Sequence, residues 1–79
     1  MSMVRKRRVK LTYPSSLLDE PILYRLITQF DVVVNVVEAS VTSERGWFIL
    51  DMEGSAAALV QARHWLAQQG LQVEDVPRA

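Results

Sequence analysis

Between Val32 and Thr42, seven of eleven residues are β-branched, and five of the first six are valine. Side chains branched at Cβ crowd a helix and fit a pleated sheet, so this run predicts a strand. Ser43, Glu44, Arg45 and Gly46 follow as a turn, with Gly46 expected at a positive φ, and Trp47 to Glu53 reads as the next strand. A two-stranded hairpin is marginal in water on its own. The segments on either side must therefore cover one of its faces.

Those segments have the right periods. Upstream, Val9, Leu11 and Tyr13 alternate with polar residues, and Pro14-Ser15-Ser16 ends that strand. Asp19-Glu20-Pro21 reads as a helix start, and Ile22, Leu23, Leu26, Ile27 and Phe30 form one apolar stripe at helical spacing. Downstream, Ser55 is placed to cap a second helix running from Ala56 to about Gln69, which Gly70 ends. Leu71, Val73 and Val76 make a last short strand. The order β-α-β-β-α-β predicts an α+β, ferredoxin-like domain: a four-stranded antiparallel sheet in the order 4-1-3-2, with two helices on one face. The domain is expected over residues 8–76, between a basic N-terminal tail at 1–7 and a short tail at 77–79.

A chain of 79 residues has room for one such domain. At this size only ~60% of the unfolded surface is buried, so a partner would add stability. The absence of Cys removes disulfides, Cys-based zinc sites, iron–sulfur clusters and thiol catalysis. No apolar run approaches the ~18 residues of a membrane span, and no signal-peptide stretch follows Lys10, so the expected location is cytoplasmic.

Nine cations balance nine carboxylates, but unevenly. Arg5, Lys6, Arg7, Arg8 and Lys10 hold five of the nine cations, and from Leu11 onward four cations face nine carboxylates. A basic run invites a nucleic-acid reading. RNA-binding domains of this topology stack bases on aromatics in the central strands. Here the first central strand would present Arg8, Lys10 and Thr12 instead, among Asp51, Glu53 and Glu74, which repel phosphate. The same carboxylates are cross-strand partners for Arg8 and Lys10. Nucleic acid is not the expected ligand.

Period two then assigns the sheet faces. Val9, Leu11, Tyr13, Val33, Val37, Ala39, Val41, Phe48, Leu50, Met52, Leu71 and Val73 are expected under the helices, closed by Leu59, Ala62 and Leu66. On the open face, Val32, Val34, Val36, Trp47 and Ile49 would form an apolar patch across the hairpin, which points to an interface. A bulge or register slip turning some of them inward is the competing reading. Asn35 falls with the helix-side residues. There its amide either ties down the loop after the first helix or contacts a bound amino acid.

Catalytic chemistry is sparse. His64 is the only histidine and falls on the solvent side of its helix; Gly46, Gly54 and Gly70 are isolated, so no phosphate loop exists. No enzyme activity, metal or cofactor is expected.

The run Phe30-Asp31-Val32-Val33-Val34-Asn35-Val36-Val37-Glu38-Ala39 resembles the segment that names the NIL domain, with Val36-Val37 standing for Ile-Leu. Leu11-Thr12-Tyr13, Glu20-Pro21-Ile22-Leu23, Arg45-Gly46-Trp47-Phe48, Gly54, Ala62, Trp65-Leu66 and Gly70 to Glu74 are similar in order and spacing, so the resemblance covers residues 8–76. It implies a regulatory domain of the kind found on the ATPase subunit of methionine importers, where two copies pair and bind methionine, and found also beside ferredoxin modules. It points to Asn35 as a ligand contact, with Val36 and Val37 as weaker ones. The expected function is a non-enzymatic module binding methionine or a related amino acid at a homodimer interface. An amino-acid importer or a ferredoxin-type protein is the implied further partner. The alternative is a protein-interaction adaptor that uses the Val32, Val34, Val36, Trp47 and Ile49 surface without a ligand.

Overall fold

A computed structural model describes residues 4–77. Strands β1 (Arg5–Tyr13), β2 (Val33–Val41), β3 (Gly46–Gly54) and β4 (Gln72–Asp75) alternate with helices α1 (Ile22–Gln29) and α2 (Ala56–Gln68), and a single 3-10 turn spans Ser15–Leu17. The sheet is antiparallel in the order β2-β3-β1-β4, which is the expected order read from the other edge.

The core lies between the sheet and the helices. Val9 and Leu11 of β1 and Leu50 and Met52 of β3 are buried against Ile22 and Leu26 of α1 and Leu59, Ala62 and Leu66 of α2. Alternation in the strands and 3.6-residue spacing in the helices bring these residues to one layer. Two aromatic pairs brace it. Tyr13 meets Phe48 edge-on at 5.3 Å, and Phe30 meets Trp65 at 5.6 Å. Ile27, expected in the buried stripe of α1, stays half exposed.

The caps follow the sequence in α2. The Ser55 hydroxyl accepts from the Ala58 N–H at 3.1 Å, and Gly70 adopts φ 95 just past the helix end. Neither Asp19 nor any other side chain caps α1, whose N-cap position is held by Pro21.

Gly46 corrects an expectation. Gly70 is the only residue with positive φ among those described, so Gly46 is not needed for turn geometry. Instead a Cβ at Gly46 would sit 2.7 Å from Leu18 Cδ2. The turn is made by Thr42, whose hydroxyl accepts from the N–H groups of Glu44 and Arg45.

The N-terminal boundary also moves. Arg5, Lys6 and Arg7 are not a tail: they continue β1 and pair with Gly54, Glu53 and Met52 of β3. Residues 1–3 and 78–79 lie outside the described residues.

Candidate functional site

β2 is an outer strand. Only β3 pairs with it, so its other backbone edge is open. The pairing runs from Val33↔Glu53 to Val36↔Leu50, skips Val37, and resumes at Glu38↔Ile49. Val37 is therefore the extra residue of a β-bulge.

The bulge sets which face each valine takes. Residues directly opposite share a face. Val34 and Val36 oppose Met52 and Leu50, which are core residues, so they point to the helix side. Val32, just before the strand, is 6% exposed and belongs to the core; Val34 packs partly buried against it. Trp47 and Ile49 oppose Ser40 and Glu38 on the open face. The expected apolar patch of Val32, Val34, Val36, Trp47 and Ile49 therefore splits across two faces. An alternation carried back from Glu38 through the bulge is off by one residue, and a one-residue offset reverses every side chain. By the same offset Val33 turns outward and lies on the open face, as does Asn35, opposite Asp51.

Beside Val33, Trp47 and Ile49, the charged residues of the open face are internally paired. Arg8 Nε and Nη2 donate to the two carboxylate oxygens of Asp51 at 2.8 and 3.0 Å. That bond to Asp51 is the main reason the Arg8 guanidinium holds its proton above its ordinary range. Lys6 reaches Glu53 at 3.8 Å, and Lys10 Nζ stands 5.0 Å from the centroid of the Trp47 ring. On the open face Lys6, Arg8 and Lys10 of β1 are thus met by Glu53, Asp51 and Trp47 of β3; the expected Arg8–Asp51 pair forms, whereas Lys10 faces a ring rather than a carboxylate.

Asn35 sits beside this network. It is exposed, and a shallow crevice of about 90 Å³ lies among Lys6, Val33, Asn35, Asp51 and Glu53. Its amide makes no side-chain hydrogen bond among the described residues. It can offer one donor end and one acceptor end on the open face of β2.

On the helix side, α1 does not reach all of β2. Val36 and Val41 remain about half exposed, and Tyr24 and Ile27 of α1 are exposed on the same layer. Val41 shares an apolar crevice of about 210 Å³ with Leu23 and Tyr24. Ile27 and Val41, expected in the core, are thus left uncovered. Only the shortness of α1, eight residues, would have warned against that expectation. His64 is on the surface, as expected.

The sequence profile of the NIL domain matches residues 7–75. The methionine import ATP-binding protein MetN of Myxococcus xanthus (strain DK1622) is 37% identical over 73 residues, covering 87% of this chain and 22% of that protein. The chain thus spans about a fifth of the length of this relative. In shape it is similar to the C-terminal domain of an ABC transporter ATP-binding protein from Enterococcus faecalis, with a TM-score of 0.78 over 92% of this chain and 86% of that one, at 14% identity. That likeness speaks for the fold. The profile match across nearly the whole sequence, with the identity to the importer protein, places this chain in the NIL domain family.

Proposed function

We propose that this chain is a non-enzymatic regulatory domain that binds methionine, or an amino acid close to it, where β2 of one copy meets β2 of a second. The observation that carries this reading is the state of β2. It is a nine-residue outer strand with one open backbone edge, and Val33, Val36, Val37 and Val41 along it are 44–67% exposed. A long apolar edge of this kind is the surface a folded chain covers by adding another strand. Pairing of two copies edge to edge would satisfy the open backbone groups and bury the valines together.

Asn35 is centrally placed for a ligand in such a joint. The ammonium and carboxylate of an amino acid need acceptors and donors, which the Asn35 amide supplies. Val33, which shares the open face with Asn35, and Val37 at the bulge offer apolar surface to a thioether side chain, while Val36 lies on the helix side. Family membership and the 37%-identical methionine import ATP-binding protein support methionine as the first ligand to test. An importer ATP-binding subunit is the corresponding protein partner. Ligand and pairing are coupled: a ligand bound only at the joint stabilises the paired state by mass action.

The test is calorimetry and thermal unfolding with methionine, homocysteine and a panel of other amino acids, on the wild type and on Asn35→Ala. A saturable heat and a rise in melting temperature with methionine, both lost in Asn35→Ala, are expected. If no amino acid gives a heat or a shift at millimolar concentration, the edge serves a protein partner without a ligand, and the reading fails.

A further inference from the structure

A second cleft lies at the other side of the molecule, between the N-terminal half of β1 and α2. β4 pairs with β1 from Val9 to Thr12, and the Val76 N–H donates to the Arg8 carbonyl at 2.9 Å, so beyond Arg8 the flank of β1 has no strand beside it. Arg5 and Arg7 occupy this stretch. They share the parity of Val9 and Leu11, and Arg7 opposes the buried Met52. Two cations therefore stand on the apolar, helix-bearing side of the sheet.

The cleft they line measures about 220 Å³. Val9 and Met52 contribute to its lining from the sheet, and Leu59 and Val60 from α2. Val60 is 68% exposed, an uncovered apolar side chain at the rim. Arg63 lies at the same cleft and is held by Asp75, with contacts of 3.3 and 3.4 Å. Asp75 is thus engaged. Among the described residues no carboxylate stands within ion-pair distance of Arg5 or Arg7.

We infer that this cleft is a binding site for a small anion carrying a short apolar tail, its head group on Arg5 and Arg7 and its tail on Val9, Met52 and Val60. Guanidinium groups present a planar fork of donors that matches carboxylate and phosphate oxygens alike. An apolar floor beside unmatched cations selects for a molecule with both parts. The volume suits a chain of a few carbons. The site is independent of β2, since β3 and β1 separate the two edges.

The experiment is an NMR titration of the uniformly 15N-labelled protein with hexanoate and hexyl phosphate, with acetate, inorganic phosphate and hexylamine as controls. Saturable shifts confined to the backbone of Arg5 to Val9 and Ala56 to Arg63 are expected from one or both tailed anions, and the stronger of the two identifies the head group. Acetate and phosphate should bind at least about ten-fold more weakly, and hexylamine should not saturate. Arg5→Gln with Arg7→Gln should weaken the tailed anions about ten-fold or more with the melting temperature kept. Val60→Ser, at an exposed position, should weaken hexanoate but not acetate, and it decides the matter if the double variant does not fold. Equal binding of hexylamine, equal binding of acetate, shifts centred on the crevice at Tyr24 and Val41, or no saturation by either tailed anion would each overturn the proposal.

Discussion

Tyr13 shows how one side chain ties the fold to pH. It is buried in the core against Phe48, and burial pushes its hydroxyl up to about 12. A free tyrosine ionises near ~10. Between these values the unfolded chain has lost the proton and the folded chain has kept it. Stability is therefore whole below pH ~10 and falls as pH rises towards 12, by an amount on the order of 2 kcal/mol. Urea unfolding from pH 8 to 12 should show this loss, and Tyr13→Phe should remove the phase while other alkaline effects remain. Two glycines give a paired test of packing. At Gly54 a Cβ would meet the Asp31 backbone oxygen at 2.9 Å, whereas at Gly46 it would meet the movable end of Leu18. Gly54→Ala should cost about 1–3 kcal/mol, because backbone cannot yield, and Gly46→Ala clearly less. Denaturant midpoints of the two variants would settle the order.

At the scale of elements, the bulge in β2 organises the outer strand. Deleting Val37 should leave a regular ladder with Val36 still opposite Leu50 and Glu38 opposite Ile49. The variant should fold, with stability within about 1 kcal/mol of the parent, since the bulged residue holds no place in the core. A strong loss of stability on urea unfolding would mean that the bulge supports the sheet itself. The number, type and order of the elements were legible in the sequence, because helical and strand periods differ and Ser55 and Gly70 mark the ends of α2. The bulge was not. In a run of valines no residue type marks the one that will be skipped, so the faces expected for Val32 through Val36, Asn35 included, are reversed in the structure. Arg5 to Arg7 were equally hidden. A charge run looks solvated until the neighbouring β3 is known to extend far enough to pair with it. The cleft beside them exists because β1 runs on through Arg5 to Arg7 past the short β4, an extension that no local pattern reveals.

For the whole molecule, the position of the open edge matters most. The small core leaves little reserve: Leu50→Ala or Leu11→Ala should each cost about 2–5 kcal/mol, enough to unfold much of a marginal domain at 37 °C, as read by circular dichroism. β3 is paired on both sides within the sheet and β1 is so from Val9 to Thr12, while β2, paired only with β3, carries exposed valines and Asn35 along its length. A chain built this way is stable enough to fold and incomplete at one edge. That is the arrangement a ligand-controlled joint requires, because the paired state must be within reach of a few kcal/mol of binding energy. Sedimentation equilibrium of the wild type, over a range of protein concentrations with and without saturating methionine, tests this most directly. A monomer–dimer equilibrium that methionine shifts towards the dimer is expected, with the shift abolished in Asn35→Ala. A mass distribution that methionine leaves unchanged at every protein concentration would contradict it.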